Sequence, residues 1–248
     1  MGNDIKVRIH RVHTHHILVP GQEVTIGDRA AHYLNRVLRV AVGQAIVLFN
    51  GDGHDYAAEV LRPGKKEFRL YVISRLPAAR ESGLKITVVQ AISRGERMDQ
   101  TLQKCTELGV AAFQPLFSER VEVRLRSEKL ARRLEHWQGV VVSACEQSGR
   151  AVIPEVLAPL DFGDWLDRSD AGRRLILMPG AETPLARVEL HGQVQLVVGP
   201  EGGFSDLELG LARSRGVEAV SLGPRVLRTE TAAPAAVAVL QALAGDLA

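Results

Sequence analysis

No apolar run in this chain approaches the length of a membrane span, and the N-terminus lacks the apolar core of a signal peptide. Both absences point to the cytoplasm and away from a membrane. Cysteine is nearly missing. Cys105 and Cys145 lie far apart, form no metal-type pair, and fall on apolar helix faces, where they read as buried free thiols. A formal net charge of +2 is too small to announce nucleic-acid binding by the whole chain, so any such surface must be a local patch. What remains is ordinary globular material: 248 residues, 46% hydrophobic and 24% charged. That is enough for one large domain or two smaller ones, each with a core.

Against this background Leu196 to Gly216, LVVGPEGGFSDLELGLARSRG, stands out. A short apolar run reads as a buried strand, a turn follows at Gly199-Pro200-Glu201-Gly202-Gly203, and a helix begins. Ser205 and Glu208 have capping-box spacing, and Phe204 and Leu209 have the spacing of a hydrophobic staple. Gly216 is a plausible stop. No Gly-Lys-Ser/Thr follows the glycines, and GxGxxG spacing is absent, so neither phosphate-binding motif applies. Glu201 would repel a diphosphate, and a neutral or cationic ligand fits better. Close backbone approach is expected at Gly202, where valine should abolish ligand binding. An ordinary strand-to-helix loop is the alternative.

A second unit of the same kind follows. Val217 to Leu222 is a strand candidate, then GPRVLRTETAAPAA, then an apolar helix from Ala232 to Leu243 with Thr231 as its cap and Pro234 in its first turn. Two adjacent loops of this kind can close on one ligand. The helix is apolar on nearly every side, so it needs cover all round, from its own subunit or from a second one.

The chain up to Ser74 reads as β-rich. Strands are expected at His16 to Val19, Glu23 to Ile26, Ala45 to Phe49, Tyr56 to Leu61 and Phe68 to Ile73, a spacing that suggests a small barrel. A helix from Asp28 to Leu38 interrupts them. Ala30, Leu34 and Val37 share one face; Arg29, His32, Arg36 and Arg39 form a cationic stripe without a carboxylate on the other. Such a stripe suits phosphate contact or is an exposed polar face. The preceding tail adds Lys6, Arg8, Arg11 and the histidines His10, His13, His15 and His16. With no cysteine or clustered carboxylate beside them, an RNA-facing or solvated segment is expected there rather than a metal site. Residues 75–84 are polar, with Pro77 and Gly83, and read as a linker. From Ile86 onward strands and helices alternate, the pattern of a mainly parallel α/β sheet with helices on both faces.

The blocks LVVGPEGGFSDLE and SLGPRVLRTETAAPAAVAVLQ closely resemble the signatures of the RsmE family. So do SRGERMDQTLQKCTELGV, PLFSER, VVVSACEQSGRAVIPEV and HYLNRVLRV, and the resemblance covers nearly the whole chain. These SPOUT-class enzymes methylate N3 of a uridine in small-subunit (16S) ribosomal RNA. The resemblance implies an α/β fold with a trefoil-knotted C-terminal methyltransferase domain, 85–248, and a PUA-like RNA-binding barrel, 1–74. It also implies S-adenosyl-L-methionine as methyl donor, ribosomal RNA or the small subunit as partner, and a homodimer.

By the same analogy three loops form the cofactor pocket. They contribute Met178 and Pro179; Val198, Gly199, Glu201, Gly202 and Gly203; and Ser221, Leu222, Gly223, Val226, Leu227 and Arg228. N3 of uracil carries a proton, so methylation there needs a proton acceptor and a donor that stabilises charge on the ring. Arg228 and Glu230 are the catalytic candidates, with Glu201 as rival base. A structural ion pair is their bland alternative. RNA contact is expected at Arg8, Arg11, Arg29, His32, Arg36 and Arg39. Other readings are a SPOUT enzyme acting on a different RNA target, such as a ribose 2′-hydroxyl, and a non-catalytic ribosome-assembly factor, which would have no cofactor affinity.

Overall fold

The structure, a computed structural model, describes residues 10–37, 39–78, 81–121, 127–168 and 172–247. It divides into two compact units. One comprises Met1–Arg80 with Cys145–Ile153, the other Glu81–Ala144 with Pro154–Ala248.

The first unit is a small PUA-like β-barrel. Its strands are β1 (Arg11–His13), β2 (Glu23–Ile26), β3 (Ala45–Phe49), β4 (His54–Arg62) and β5 (Phe68–Ala78), in the order β1-β3-β4-β5-β2. Alternation along the strands sends Ile46, Leu48, Tyr56, Ala58, Val60, Phe68, Leu70 and Val72 into one core. Two expectations change here. The first strand is Arg11–His13, paired in parallel with Val47–Phe49, whereas His16 to Val19 is loop in which only Leu18 is buried. And β5 runs to Ala78, so the start of the stretch read as linker is still strand, because Arg75 and Ala78 pair across to β4. Between β2 and β3, α1 (Asp28–His32) passes into a π-helical turn, Tyr33–Val37. That turn widens the repeat while keeping Ala31 and Leu34 fully buried.

The second unit is a parallel sheet in the order β11-β13-β10-β12-β6-β7-β8, with β9 beside β7. Its elements in chain order are β6 (Lys85–Ala91), α2 (Arg97–Glu107), β7 (Ala112–Phe117), α3 (Ser127–Ser148), β8 (Glu155–Val156), β9 (Leu160–Asp161), α4 (Phe162–Asp167) and β10 (Arg173–Leu177). They continue with β11 (Thr183–Pro184), β12 (Gln193–Val198), α5 (Asp206–Ser214), β13 (Glu218–Ser221) and α6 (Thr229–Ala244). This is the knot-like arrangement of the SPOUT trefoil-knot fold. β12 and β6 are central strands, and their Val-rich runs are buried on both faces, as parallel strands require. Val89, Ile176 and Val197 look toward α4 and α5, packing with Phe162, Trp165, Phe204 and Ala212. Met98, Leu102 and Cys105 of α2 are buried, and burial pushes the Cys105 thiol far up, so it is an inert thiol.

The capping box expected before α5 is present in full. Ser205 Oγ accepts from Glu208 N at 3.3 Å, and Glu208 Oε2 accepts from Ser205 N at 2.8 Å. A cap of this kind is worth about 1 kcal/mol. Phe204 and Leu209 join the same core cluster, as the staple predicts. The last helix differs from expectation. It begins at Thr229, not Ala232, and its cap is Arg228 in extended conformation. Thr231 lies inside its first turn. The early start is fixed tertiarily: Thr229 is buried and its hydroxyl is held from two other segments.

Candidate functional site

Three chain segments emerge at one end of the sheet and enclose a cavity of about 670 Å³. Leu177 ends β10, and Met178 and Pro179 follow it. Val198 to Phe204 follow β12. Leu222 to Glu230, with a gap at Pro224, run from β13 into α6. In an open parallel sheet this is the end at which ligands bind, and the volume suits a small organic molecule.

The glycine loop owes its shape to two different demands. Gly203 has φ +67, a left-handed conformation that side chains resist. Gly199 has no such φ, but a Cβ there would lie 3.1 Å from the Phe204 ring. Phe204 cannot retreat, being buried against Phe162 at 5.0 Å between ring centroids. Gly202 is open on the protein side. A Cβ there would meet only the Arg120 side chain, at 3.5 Å, while Arg120 Nη1 donates to Gly202 O at 2.9 Å. The crowded position of the loop is therefore Gly199.

A buried clip joins this loop to α6. Gln90 Nε2, on β6, donates to Thr229 Oγ1 at 2.9 Å, and Thr229 Oγ1 donates to Gly199 O at 3.2 Å. It sets the first turn of α6, and with it Arg228 and Glu230, against the glycine loop.

The charged groups are arranged unevenly. Arg97, at the start of α2, places Nη1 2.6 Å from Glu201 Oε1 and Nε 3.9 Å from Glu230 Oε1. Partial burial pushes the Glu201 carboxyl up. Backbone N–H groups, its own and that of Arg94, together with the Arg97 guanidinium outweigh this and hold it below the usual carboxylate range. Glu230 is more enclosed, with 14% of its side chain exposed, and its Oε2 has no hydrogen-bond partner among the described residues. Arg228 is exposed at the cavity wall.

Comparison with known proteins places this geometry. Residues 80–241 match the RNA methyltransferase domain family, and residues 18–72 match the RNA methyltransferase PUA domain. A ribosomal RNA small subunit methyltransferase E from Neisseria gonorrhoeae, solved bound to S-adenosyl methionine, is 40% identical. It superposes with a TM-score of 0.91 over 97% of this chain and 100% of that one. The chain belongs to the ribosomal RNA small subunit methyltransferase E family. A methyltransferase from Legionella pneumophila, in complex with the bound cofactor SAM, is 42% identical with a TM-score of 0.94, over 97% of this chain and 100% of that one. The family member of Buchnera aphidicola (Schizaphis graminum) is 33% identical over 98% of this chain and 100% of its own length.

The cavity gathers nearly all the residues that the family pattern assigns to the cofactor: Met178, Pro179, Val198, Gly199, Glu201, Gly202, Gly203, Leu222, Gly223, Val226, Leu227 and Arg228. Ser221 is the exception. It closes β13 and its hydroxyl turns to Thr183 O, 3.4 Å away, so it does not line the cavity. Sequence reasoning missed Arg97, Arg225 and Thr229. Thr229 stood inside the recognised LRTET block. Arg97 lies over a hundred residues away in sequence from Glu201, and only the topology brings the two together.

In the barrel unit the family's RNA-facing expectation is divided. Arg11 is a structural residue. Its guanidinium pairs with Asp55 at 2.6 Å, donates to Cys145 O at 2.6 Å and lies over the Phe49 ring. It serves the C-terminal carbonyls of α3, where a cation is favoured, and is not free for phosphate. Arg29 is half exposed and pairs with Glu146 at 3.1 Å, so the stripe does have a carboxylate beside it. His32 and Arg39 are exposed. Burial, with His15 and Arg29 nearby, drives His13 down to about 4, so it is uncharged at neutral pH. Arg8 and the side chain of Arg36 lie outside the described residues.

Proposed function

We propose that the protein transfers the methyl group of S-adenosylmethionine to N3 of a specific uridine in small-subunit (16S) ribosomal RNA. The observation that carries this reading is the cavity itself: the glycine loop and the segment leading into α6 closed around a carboxylate, Glu230, whose buried Oε2 has no partner among the described residues. A cationic sulfonium fits this site. Met178, Leu222, Val226 and Leu227 supply apolar walls, the loop backbones supply donors and acceptors for adenine, and Glu201 supplies negative charge. When bound, the cofactor brings a methyl carbon on sulfur that N3 can attack.

The chain's own residues prepare that nucleophile. The target base enters the open side of the cavity unpaired or flipped. Glu230 Oε2 accepts the N3 proton, and the electron pair left behind is shared with O2 and O4 of the ring. The Arg228 guanidinium, on the cavity wall, donates to the oxygen where that charge gathers. Mass-spectrometric mapping of small-subunit RNA tests the reading. Cells lacking the protein should lose one methyluridine and regain it with the gene. A methyl group appearing on a ribose instead would assign another target.

The barrel, residues 1–74, is the RNA-binding part of this reading, through Arg29, His32 and Arg39. Changing Arg29 and Arg39 to alanine should reduce the slope of log affinity against log salt by up to about two. An unaltered slope would leave these residues as solvated surface. Action in the cytoplasm as a homodimer completes the reading. The exposed Leu207, Leu211 and Leu243 supply apolar surface for a second copy, whereas much of α6 is already covered by α2 and the sheet. Light scattering at micromolar concentration should give twice the chain mass; a monomer would refute it.

A further inference from the structure

We propose that Arg97 is a positioning residue that decides which of the two cavity carboxylates acts as proton acceptor. It engages Glu201 and leaves one oxygen of Glu230 free. This rests on the methyl transfer proposed above and deepens it.

Two glutamates line the same cavity, and either could take a proton from N3 of uracil by chemical type. Their surroundings separate them. Glu201 is in a close ion pair, its Oε1 2.6 Å from Arg97 Nη1, and the backbone N–H groups of Glu201 and Arg94 also favour its charged form. A carboxylate so occupied is a weak base, because protonating it breaks several charge-assisted hydrogen bonds. Glu230 receives Arg97 at 3.9 Å on Oε1 only. That contact orients the carboxylate without covering Oε2, which is buried and has no partner among the described residues. A buried acceptor without a donor is costly to leave so, and a substrate N–H would satisfy it. The charged groups that line the cavity with Glu230 are Arg97 from α2, Glu201 from the glycine loop, and Arg225 and Arg228 from the loop leading into α6; of these Arg97 is in contact with it.

In the step assigned to it, the N3 proton goes to Glu230 Oε2 and the N–H electron pair stays on nitrogen. The N3–carbon bond forms as the carbon–sulfur bond breaks, its pair going to sulfur, and the proton leaves Glu230 for water. Arg97 touches none of the reacting atoms.

The test has two readouts on wild type, R97Q, R97K, E201Q and E230Q. Carbon-13 NMR of glutamate-labelled protein without cofactor follows the titration of each carboxyl, the two being assigned from the E201Q and E230Q spectra. Single-turnover methylation of small-subunit RNA, at saturating cofactor and RNA, gives the rate against pH. R97Q should raise the midpoint of Glu201, since the ion pair that helps hold it below the usual carboxylate range has been lost. R97K should restore most of that shift. The acid limb of the wild-type rate profile should coincide with the NMR midpoint of Glu230 and not with that of Glu201. R97Q should run on the order of tenfold slower than wild type at the same pH, because Glu230 is no longer held in place. The limb should vanish in E230Q and persist in E201Q. A Glu201 midpoint that does not move in R97Q, or a limb that tracks Glu201, would overturn the assignment. Wild-type protein that methylates no RNA would instead sink the proposed function, and this inference with it.

Discussion

Glu230→Gln is expected to slow single-turnover methylation on the order of a hundredfold or more at pH 7, the usual scale for removing a general base. The amide keeps the size of the carboxylate but cannot take the N3 proton. Above pH 9 the rate should partly recover as hydroxide removes the proton instead. Arg228→Lys should cost a similar factor at every pH. It keeps the charge but loses the planar fork that reaches a ring oxygen while staying on the cavity wall. Neither change should alter S-adenosylmethionine affinity by more than a few fold, because Glu230 Oε2 and the exposed Arg228 are assigned to the base. Rate-against-pH profiles with both substrates saturating decide it. If both variants turn over normally and only bind the cofactor more weakly, the two residues are scaffolding of the pocket.

Gly199→Val should abolish cofactor binding, with calorimetric affinity falling at least about a hundredfold. The argument is steric. Its Cβ would sit 3.1 Å from the Phe204 ring, which is wedged beside Phe162 in the core under α5. The loop must therefore move outward, into the cavity. It would take with it the Gly199 carbonyl that Thr229 holds, and so misplace the first turn of α6. The overpacking should cost about 1–3 kcal/mol of stability, read from a denaturation curve, and leave the protein folded. Gly202→Ala is the control. Its Cβ meets the protein's own atoms at ordinary contact distances, and the variant should be nearly as stable as wild type. A folded Gly199→Val protein with unchanged affinity would show that the loop backbone does not shape the site.

Much of this was legible in the chain because it is local. The Ser205–Glu208 box, the Phe204–Leu209 staple, the strand before them and the helix face that buries Cys105 are set by spacing of a few residues, and each appears in the structure. The misreadings share one cause. Thr231 is a good capping residue in isolation, but Gln90 from another strand holds Thr229 and starts α6 earlier. Arg11 looked like a phosphate contact, but Asp55 and the end of α3 surround it.

By itself the sequence determined the α/β alternation, the β-rich beginning and the glycine-rich loops at the mouth of the sheet. Side-chain period, turn residues and caps act over a few positions and need no partner from afar. Only the tertiary structure decided which charges meet. Arg97, Glu201 and Glu230 stand on three separate segments, and parallel strand order sets them around one cavity. Their electrostatics depend on distances of a few ångströms, which no spacing along the chain records.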